Sequence, residues 1–220
     1  MKRSGKSSGD GNGNKEASGL YFNKKLRLIS ISGEISWQLA DDFFETLTGF
    51  ESLPSRKPLT IYINSTGGDV YDMFKIYDHI RNSSFPIATI VSGCAVSGGF
   101  IMFLAGDLRK AFPNAFFGFH SPTNYYSAGE KERPAEIQES AFHHNRLLDA
   151  IVRIVKDNSN MPEKLIRKYF RILTRIDAQT ALKFGLVNEI IHPPKKILPK
   201  SWPASPKLQR GERKILKEQN

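Results

Sequence analysis

Three short stretches hold residues that could do chemistry. "SGCAVSGGF" (92–100) places Ser97 among small residues. "NSTGGD" (64–69) holds the pair Gly67–Gly68, and "AFFGFH" (115–120) ends on His120. A serine hydroxyl becomes a useful nucleophile when a neighbouring base takes its proton. Backbone N–H groups unshielded by side chains are what a developing oxyanion needs. Each residue alone has a plainer reading. Ser97 reads as a small packing residue that lets a helix lie close to a sheet, Gly67–Gly68 as an ordinary turn, and His120 as a polar loop residue. Of the five histidines, His143 and His144 fall mid-helix, where solvation or packing is expected. His79 has no evident partner, and His192 opens a basic stretch. His120 is the best placed to act as a base.

These residues need elements to hold them. Strands are expected at 25–35, 58–64, 87–93, 115–120 and 186–191, from alternating or continuous apolar runs rich in β-branched residues. Helical spacing predicts helices at 36–53 with Ser36 as N-cap, 70–83, 97–106, 135–158 with Pro134 in the first turn, 161–170, and 177–185. Asp177 is placed to cap the last of these and Gly185 to end it. Alternating strands and helices at this spacing imply parallel strands with helical crossovers, an α/β fold. Loops after the carboxyl ends of such strands form the binding crevice. Both glycine loops and His120 fall on that edge. Ser97 also precedes a helix, whose first N–H groups are unpaired and whose dipole end is positive.

The net charge of +10 over 220 residues raises the question of an anionic partner. Residues 1–25 carry six Lys/Arg against two Asp/Glu, and residues 193–220 carry eight against two. The body between is balanced. The basicity belongs to the ends, which read as solvated tails. Nucleic-acid or anionic-surface binding would rest on them alone, and no nucleic-acid partner is expected. Three regions follow: a disordered basic tail over 1–24, a folded domain over 25–192, and a basic Pro/Lys-rich tail over 193–220. Cys94 is the only cysteine, so no internal disulfide forms, which fits a reducing compartment. The basic start lacks the apolar stretch of a signal peptide, and no run reaches the ~18 apolar residues of a membrane span. A cytoplasmic location is expected.

Taken together, "IYINSTGGDVYDMFKIYDHIR" (61–81), "SGCAVSGGF" (92–100), "PNAFFGFHSP" (113–122), the helix of 135–158 and "AQTALKFGLVNEII" (178–191) resemble the proteolytic subunit of the ATP-dependent Clp protease, a serine peptidase family. The motifs keep the family's order and spacing from about Arg27 to Ile191. The resemblance implies the ClpP/crotonase-like α/β fold of repeated β-β-α and βαβ units with a protruding "handle" helix at 135–158. It implies Ser97 as nucleophile, His120 as general base, and the N–H groups of Gly68 and Gly98 as the oxyanion hole. The substrate would lie along 121–134, against Pro122, Thr123 and Asn124. It further implies heptameric rings stacked as a tetradecamer, an AAA+ ATPase of Clp type feeding unfolded protein, and no metal or cofactor in this chain, ATP being used by the partner.

The sequence departs from the family at several positions. Thr66 stands where proline is usual, and Gly98 where a bulkier residue is usual. The family's third catalytic residue, an aspartate, falls on Leu173; Asp177 is the nearby substitute, in a capping register. Loss of that acid costs roughly 10⁴ in turnover in trypsin-like enzymes. A backbone carbonyl, water or another carboxylate could orient His120 instead. The family's ring-to-ring ion pairs fall in this same apolar and basic stretch, and its apolar axial segment is replaced by the Gly/Ser/Lys tail. A serine endopeptidase is the expected activity. The alternative is a weak or silent subunit of a mixed Clp ring. An acyl-CoA thioester enzyme of crotonase type is a further reading, one that leaves the Ser97–His120 pairing without a use.

Overall fold

A computed structural model of the chain describes residues 12–122, 134–192 and 194. An N-terminal hairpin, β1 (Asn12–Lys15) and β2 (Leu20–Asn23), leads into β3 (Leu28–Ile35). Then follow α1 (Trp37–Glu51), β4 (Leu59–Gly68), α2 (Val70–Arg81), β5 (Ile87–Val96) and α3 (Gly98–Leu104). The remaining elements are β6 (Leu108–Ala111), β7 (Phe116–Gly118), α4 (Pro134–Asp157), α5 (Glu163–Arg171), β8 (Arg175–Asp177), α6 (Ala178–Lys183) and β9 (Glu189–Ile190).

One sheet runs in the order β1-β2-β3-β4-β5-β6-β9. Strands β3 to β6 and β9 pair in parallel, as the strand–helix alternation requires. Their apolar residues alternate with polar ones along β3 and β4, so that Ile29, Ile31, Leu59, Ile61 and Ile63 are sealed from solvent on one face while Ser30, Thr60 and Tyr62 on the other are half-buried. The fold is thus the expected α/β class.

The sheet bends at a single level. Register slips between Ser32 and Glu34 where β3 meets β4, and between Ile63 and Ser65 where β4 meets β5. Beside these slips, β5 changes partner: Ala88–Val91 pair with β6, Cys94–Val96 with β7. Bulges bend a strand and re-aim its side chains. Gly93 sits at the change with φ +104, and a Cβ there would lie 2.6 Å from Asn64 Oδ1, which accepts the Cys94 N–H. The carboxyl ends of β3, β4 and β5 therefore continue past the bend and carry the glycine loops with them. The second strand thus runs past its expected end at 64, and Gly67–Gly68 are not an ordinary turn: β4 extends through Gly68, paired with Ile35.

Further differences have clear causes. Residues 12–23, expected to be part of a disordered tail over 1–24, form the hairpin, while residues 1–11 lie outside the described residues. Lys15 bonds Asp42 and Glu45 on α1, and Leu20 is fully buried. Strands β6 and β8 are too short, and β6 too polar, to show a period, and they exist because β5 and β7 offer an edge. The last strand shrinks to two residues. Helix caps follow the sequence more closely. Ser36 accepts the Leu39 N–H, Pro134 opens α4, and Asp177 accepts the Thr180 N–H at 2.7 Å. The C-terminal basic tail from residue 195 lies outside the described residues.

An aromatic cluster joins the serine's helix to the histidine's strand. Phe100 on α3 lies 4.6 Å from Phe119 and 6.0 Å from Phe117, ring to ring. Phe119 also meets Phe170 on α5 at 5.4 Å. All four rings are buried. Burial of each contributes roughly 1.5–3 kcal/mol, so this cluster holds the two halves of the site together.

Candidate active site

Ser97 is the junction between β5 and α3. Its backbone lies at φ 54, ψ −125, a strained conformation for a side-chain-bearing residue. Three contacts impose it. The Ser97 N–H donates to the Gly118 carbonyl on β7 at 2.9 Å. The Ser97 carbonyl accepts from the N–H groups of Phe100 and Ile101, opening α3. Behind it stands Gly67, where a Cβ would fall 2.6 Å from Ser97 Cβ and 3.0 Å from its Oγ. Gly67 is held at φ +101. A serine in the cap position usually bonds the helix N–H groups with its side chain; at these angles the Ser97 hydroxyl makes no such bond. The strained backbone leaves Oγ without a hydrogen bond among the described residues. Gly98 follows as the first residue of α3, where N–H groups lack helical partners. Gly68 lies against β3, and a Cβ there would meet the Ile35 carbonyl oxygen at 2.1 Å.

His120 follows β7. Its flanking N–H groups donate to the connection after α5 and to α5 itself, Phe119 to the Thr174 carbonyl at 2.8 Å and Ser121 to the Phe170 carbonyl at 3.2 Å. The ring Nδ1 lies 2.8 Å from the Ser121 carbonyl oxygen. A carbonyl only accepts, so Nδ1 carries the proton and Nε2 keeps its lone pair. That is the tautomer a general base requires. Among the described residues no hydrogen bond joins Ser97 Oγ to His120, but both line one cleft of about 1030 Å³. Ile35, Met73, Ile101, Leu147, Ile151 and Phe170 form its apolar wall.

The residues expected to contribute separate clearly. Ser97, Gly68, Gly98, His120 and Pro122 share the cleft. Thr123 and Asn124 lie outside the described residues. Leu173 is 69% exposed at φ 53, so the family's acid position carries no polar group. Asp177 does not line the cleft. Bonds from the Thr180 side chain and backbone hold its carboxyl below the usual carboxylate range at the cap of α6. It is therefore a capping residue.

Sequence reasoning missed three contributors. Gly67 sits directly behind the serine, and only the packing of two loops reveals that. The Ser121 carbonyl is backbone and carries no sequence signal. His143, expected to be solvated or packed, is in the cleft lining and bonds the Tyr71 hydroxyl through Nε2. The i, i+4, i+8 series His143, Leu147, Ile151 on one face of α4 was the signal available for it. Asp69 caps α2 by accepting the N–H groups of Tyr71 and Asp72. No cluster of three or more His, Cys, Asp or Glu suited to a metal occurs among the described residues. No helix there is long and apolar enough to cross a membrane.

Comparison with known proteins places this arrangement. The Clp protease family model matches residues 14–194. An ATP-dependent Clp protease proteolytic subunit of Deinococcus radiodurans is 31% identical over 170 residues, covering 76% of this chain and 81% of the relative. The ATP-dependent Clp protease proteolytic subunit 2 of Treponema denticola is 30% identical over 166 residues, covering 74% and 81%. Among solved structures, a ClpP1 mutant from Listeria monocytogenes superposes with a TM-score of 0.70 at 28% identity, covering 78% of this chain and 94% of that one.

Proposed function

The chain belongs to the Clp protease family of serine peptidases, and from that premise we propose that Ser97 and His120 are its nucleophile and general base. His120 Nε2 takes the Ser97 hydroxyl proton as Oγ attacks a peptide carbonyl carbon. The resulting oxyanion is held by the N–H groups of Gly68 and Gly98. His120 then passes the proton to the leaving amine, and the C–N bond breaks to leave an acyl ester on Ser97. Water, with His120 again as base, releases the acid and restores the hydroxyl.

The observation that carries this reading is the strained Ser97, its hydroxyl uncommitted, in one cleft with a histidine whose Nδ1 is already bonded. The Ser121 carbonyl stands where the family uses a carboxylate. It supports the tautomer and orientation of His120, but a dipole stabilises an imidazolium less than a full charge does. Turnover is accordingly expected below that of a chain with the acid.

Beyond this step the family supplies the wider setting. The proposed substrates are unfolded polypeptides lying along 121–134, beside Pro122, Thr123 and Asn124. The proposed assembly is a heptameric ring, stacked in pairs through α4 as the handle. Exposed Phe142 (64%) fits a projecting α4, with Ile151, Val152 and Val155 buried nearer its end. A Clp-type AAA+ ATPase in the cytoplasm would deliver substrate and consume the ATP, this chain using no cofactor. The folded domain, which takes in the hairpin at 12–23, carries the chemistry.

Labelling with a serine-directed fluorophosphonate tests the reading. Labelling lost in both Ser97→Ala and His120→Ala supports it. Labelling that survives Ser97→Ala overturns it. No labelling of the folded oligomer would turn the reading to a silent subunit of a mixed ring.

A further inference from the structure

At the far end of the parallel strands from Ser97, a guanidinium is buried without a counter-charge. Arg27 precedes β3, Pro58 precedes β4 and Phe85 lies just before β5. All three stand at the amino ends of strands whose carboxyl ends carry the cleft. Arg27 is only 8% exposed. Its backbone is held at φ 48, its N–H donating to the Lys24 carbonyl and its carbonyl accepting the Thr60 N–H at 3.0 Å. Nε donates to the Pro58 carbonyl at 3.3 Å. The guanidinium carbon lies 4.6 Å from the centre of the Phe85 ring and 5.6 Å from that of Phe50. Aromatic rings meet a guanidinium at its face, whereas its N–H groups point outward in its plane. The rings therefore leave those donors unmet. Both terminal nitrogens are buried, and neither has an acceptor among the described residues.

A buried charge is costly unless it is paired and hydrogen-bonded. No carboxylate among the described residues pairs with Arg27. Glu51, beside Phe50 at the end of α1, turns its carboxylate to the Ser84 N–H. The neighbouring charge is another cation: burial and then Arg56 lower the basicity of Arg27, which stays charged all the same. Lys24, Lys25, Arg56 and Lys57 are exposed on the two turns that flank Arg27, at 23–27 and 52–58, and neither turn holds an acid. The guanidinium lies just beneath the surface, since Leu26 next to it is 68% exposed. A fixed planar fork with unmade bonds, ringed by four more cations, suits an anion of more than one charge. Two of its oxygens meet the fork side by side, and the rim meets the remaining charge. We propose that Arg27 is the buried donor of a phosphate-binding site between these two turns. A carboxylate satisfies the fork but leaves the rim uncompensated, so phosphate is the favoured class. Lying at the other end of the strands, this site does not depend on Ser97 being the nucleophile.

Inorganic phosphate titrated into the full-length protein at constant ionic strength, followed by calorimetry and by melting, tests the site, with acetate and chloride as comparison anions. Phosphate should bind saturably with a Kd of about 1 mM or below and raise Tm in step with occupancy. Acetate should bind about tenfold more weakly, and chloride should show no saturable phase. Arg27→Met should raise the phosphate Kd about tenfold or more. Its Tm in chloride should be unchanged or higher, because methionine packs well against the two rings and the uncompensated charge is gone. That variant keeps the basic ends of the chain, so phosphate held by them alone would survive the substitution. Arg56→Gln/Lys57→Gln, at exposed positions, should weaken phosphate about threefold to tenfold and decides the question if Arg27→Met does not fold. Three results would each overturn the assignment: no saturable phosphate binding, equal binding of acetate and phosphate, or a phosphate Kd unchanged in the deciding variant.

Discussion

The β5–α3 junction that carries Ser97 is constrained by tertiary contact from several sides, whereas the strand end that carries His120 depends on one neighbour for its chemistry. Ser97 is pinned by Gly118, by the first turn of α3 and by Gly67 at its back. His120 has a well-fixed backbone, its neighbours bonded to α5 and to the α5–β8 connection, but among the described residues its ring is hydrogen-bonded by the Ser121 carbonyl alone. The comparison teaches that a strained nucleophile needs long-range support from several elements. The tautomer of a base can be set within two residues of chain. The second arrangement leaves a position open at Leu173, where the surrounding backbone already faces the histidine's strand.

The strongest way to test that contrast is to delete each half. Ser97→Ala and His120→Ala should each lower kcat by about 10⁵-fold or more. The double variant should lose little further, because groups acting as one unit are not additive. Stopped assays with a fluorogenic peptide would check this, and additive losses would break the pairing. Next comes the support behind the serine. Gly67→Ala forces a Cβ into Ser97 and a side chain onto φ +101. It should lower kcat about 10²-fold through displacement of Oγ and destabilise the fold by about 1–3 kcal/mol, read from peptide hydrolysis and urea unfolding.

A gain is expected on the histidine side. Leu173→Asp returns a carboxylate to the connection whose Thr174 carbonyl bonds the Phe119 N–H. It should raise kcat/KM about tenfold, at no cost in Tm, since aspartate tolerates a positive φ better than leucine does. An unchanged kcat/KM with intact folding would mean that the Ser121 carbonyl already suffices. The smallest effect belongs to Asp177. Asp177→Ala should leave kcat unchanged and lower Tm slightly by removing the cap of α6. Its carboxyl titrates below its ordinary 3.8 in the folded protein. The stabilisation is therefore present above that pH and fades as pH falls through the depressed folded value. Melts of the two proteins should converge in acid. A loss of kcat in Asp177→Ala would instead give Asp177 a place in the chemistry.

Much of the site was legible in one dimension because its signals are local. A serine among glycines after a buried strand, a Gly–Gly pair after another, and a histidine closing a third are readable from neighbours in the chain. The caps at Ser36 and Asp177 were legible for the same reason: each accepts an N–H three residues on, and Pro134 needs only the first position of a helix. β6 and β8 were not, because a strand of three or four residues takes its identity from the edge it joins. The hairpin at 12–23 was hidden for a related reason. Its Gly/Asn/Lys composition reads as solvated chain until α1 presents Asp42 and Glu45.

The sequence by itself determined the α/β alternation, the helix caps and the residue types available at one edge of the sheet, since propensity and periodicity act over a few residues. Only the tertiary structure decided that β4 runs on through Gly68, that Gly67 rather than Gly68 backs Ser97, and that a carbonyl fixes the tautomer of His120. Those outcomes depend on register, on sheet bending and on the approach of elements separated by tens of residues, and such distances in space are not written as distances along the chain.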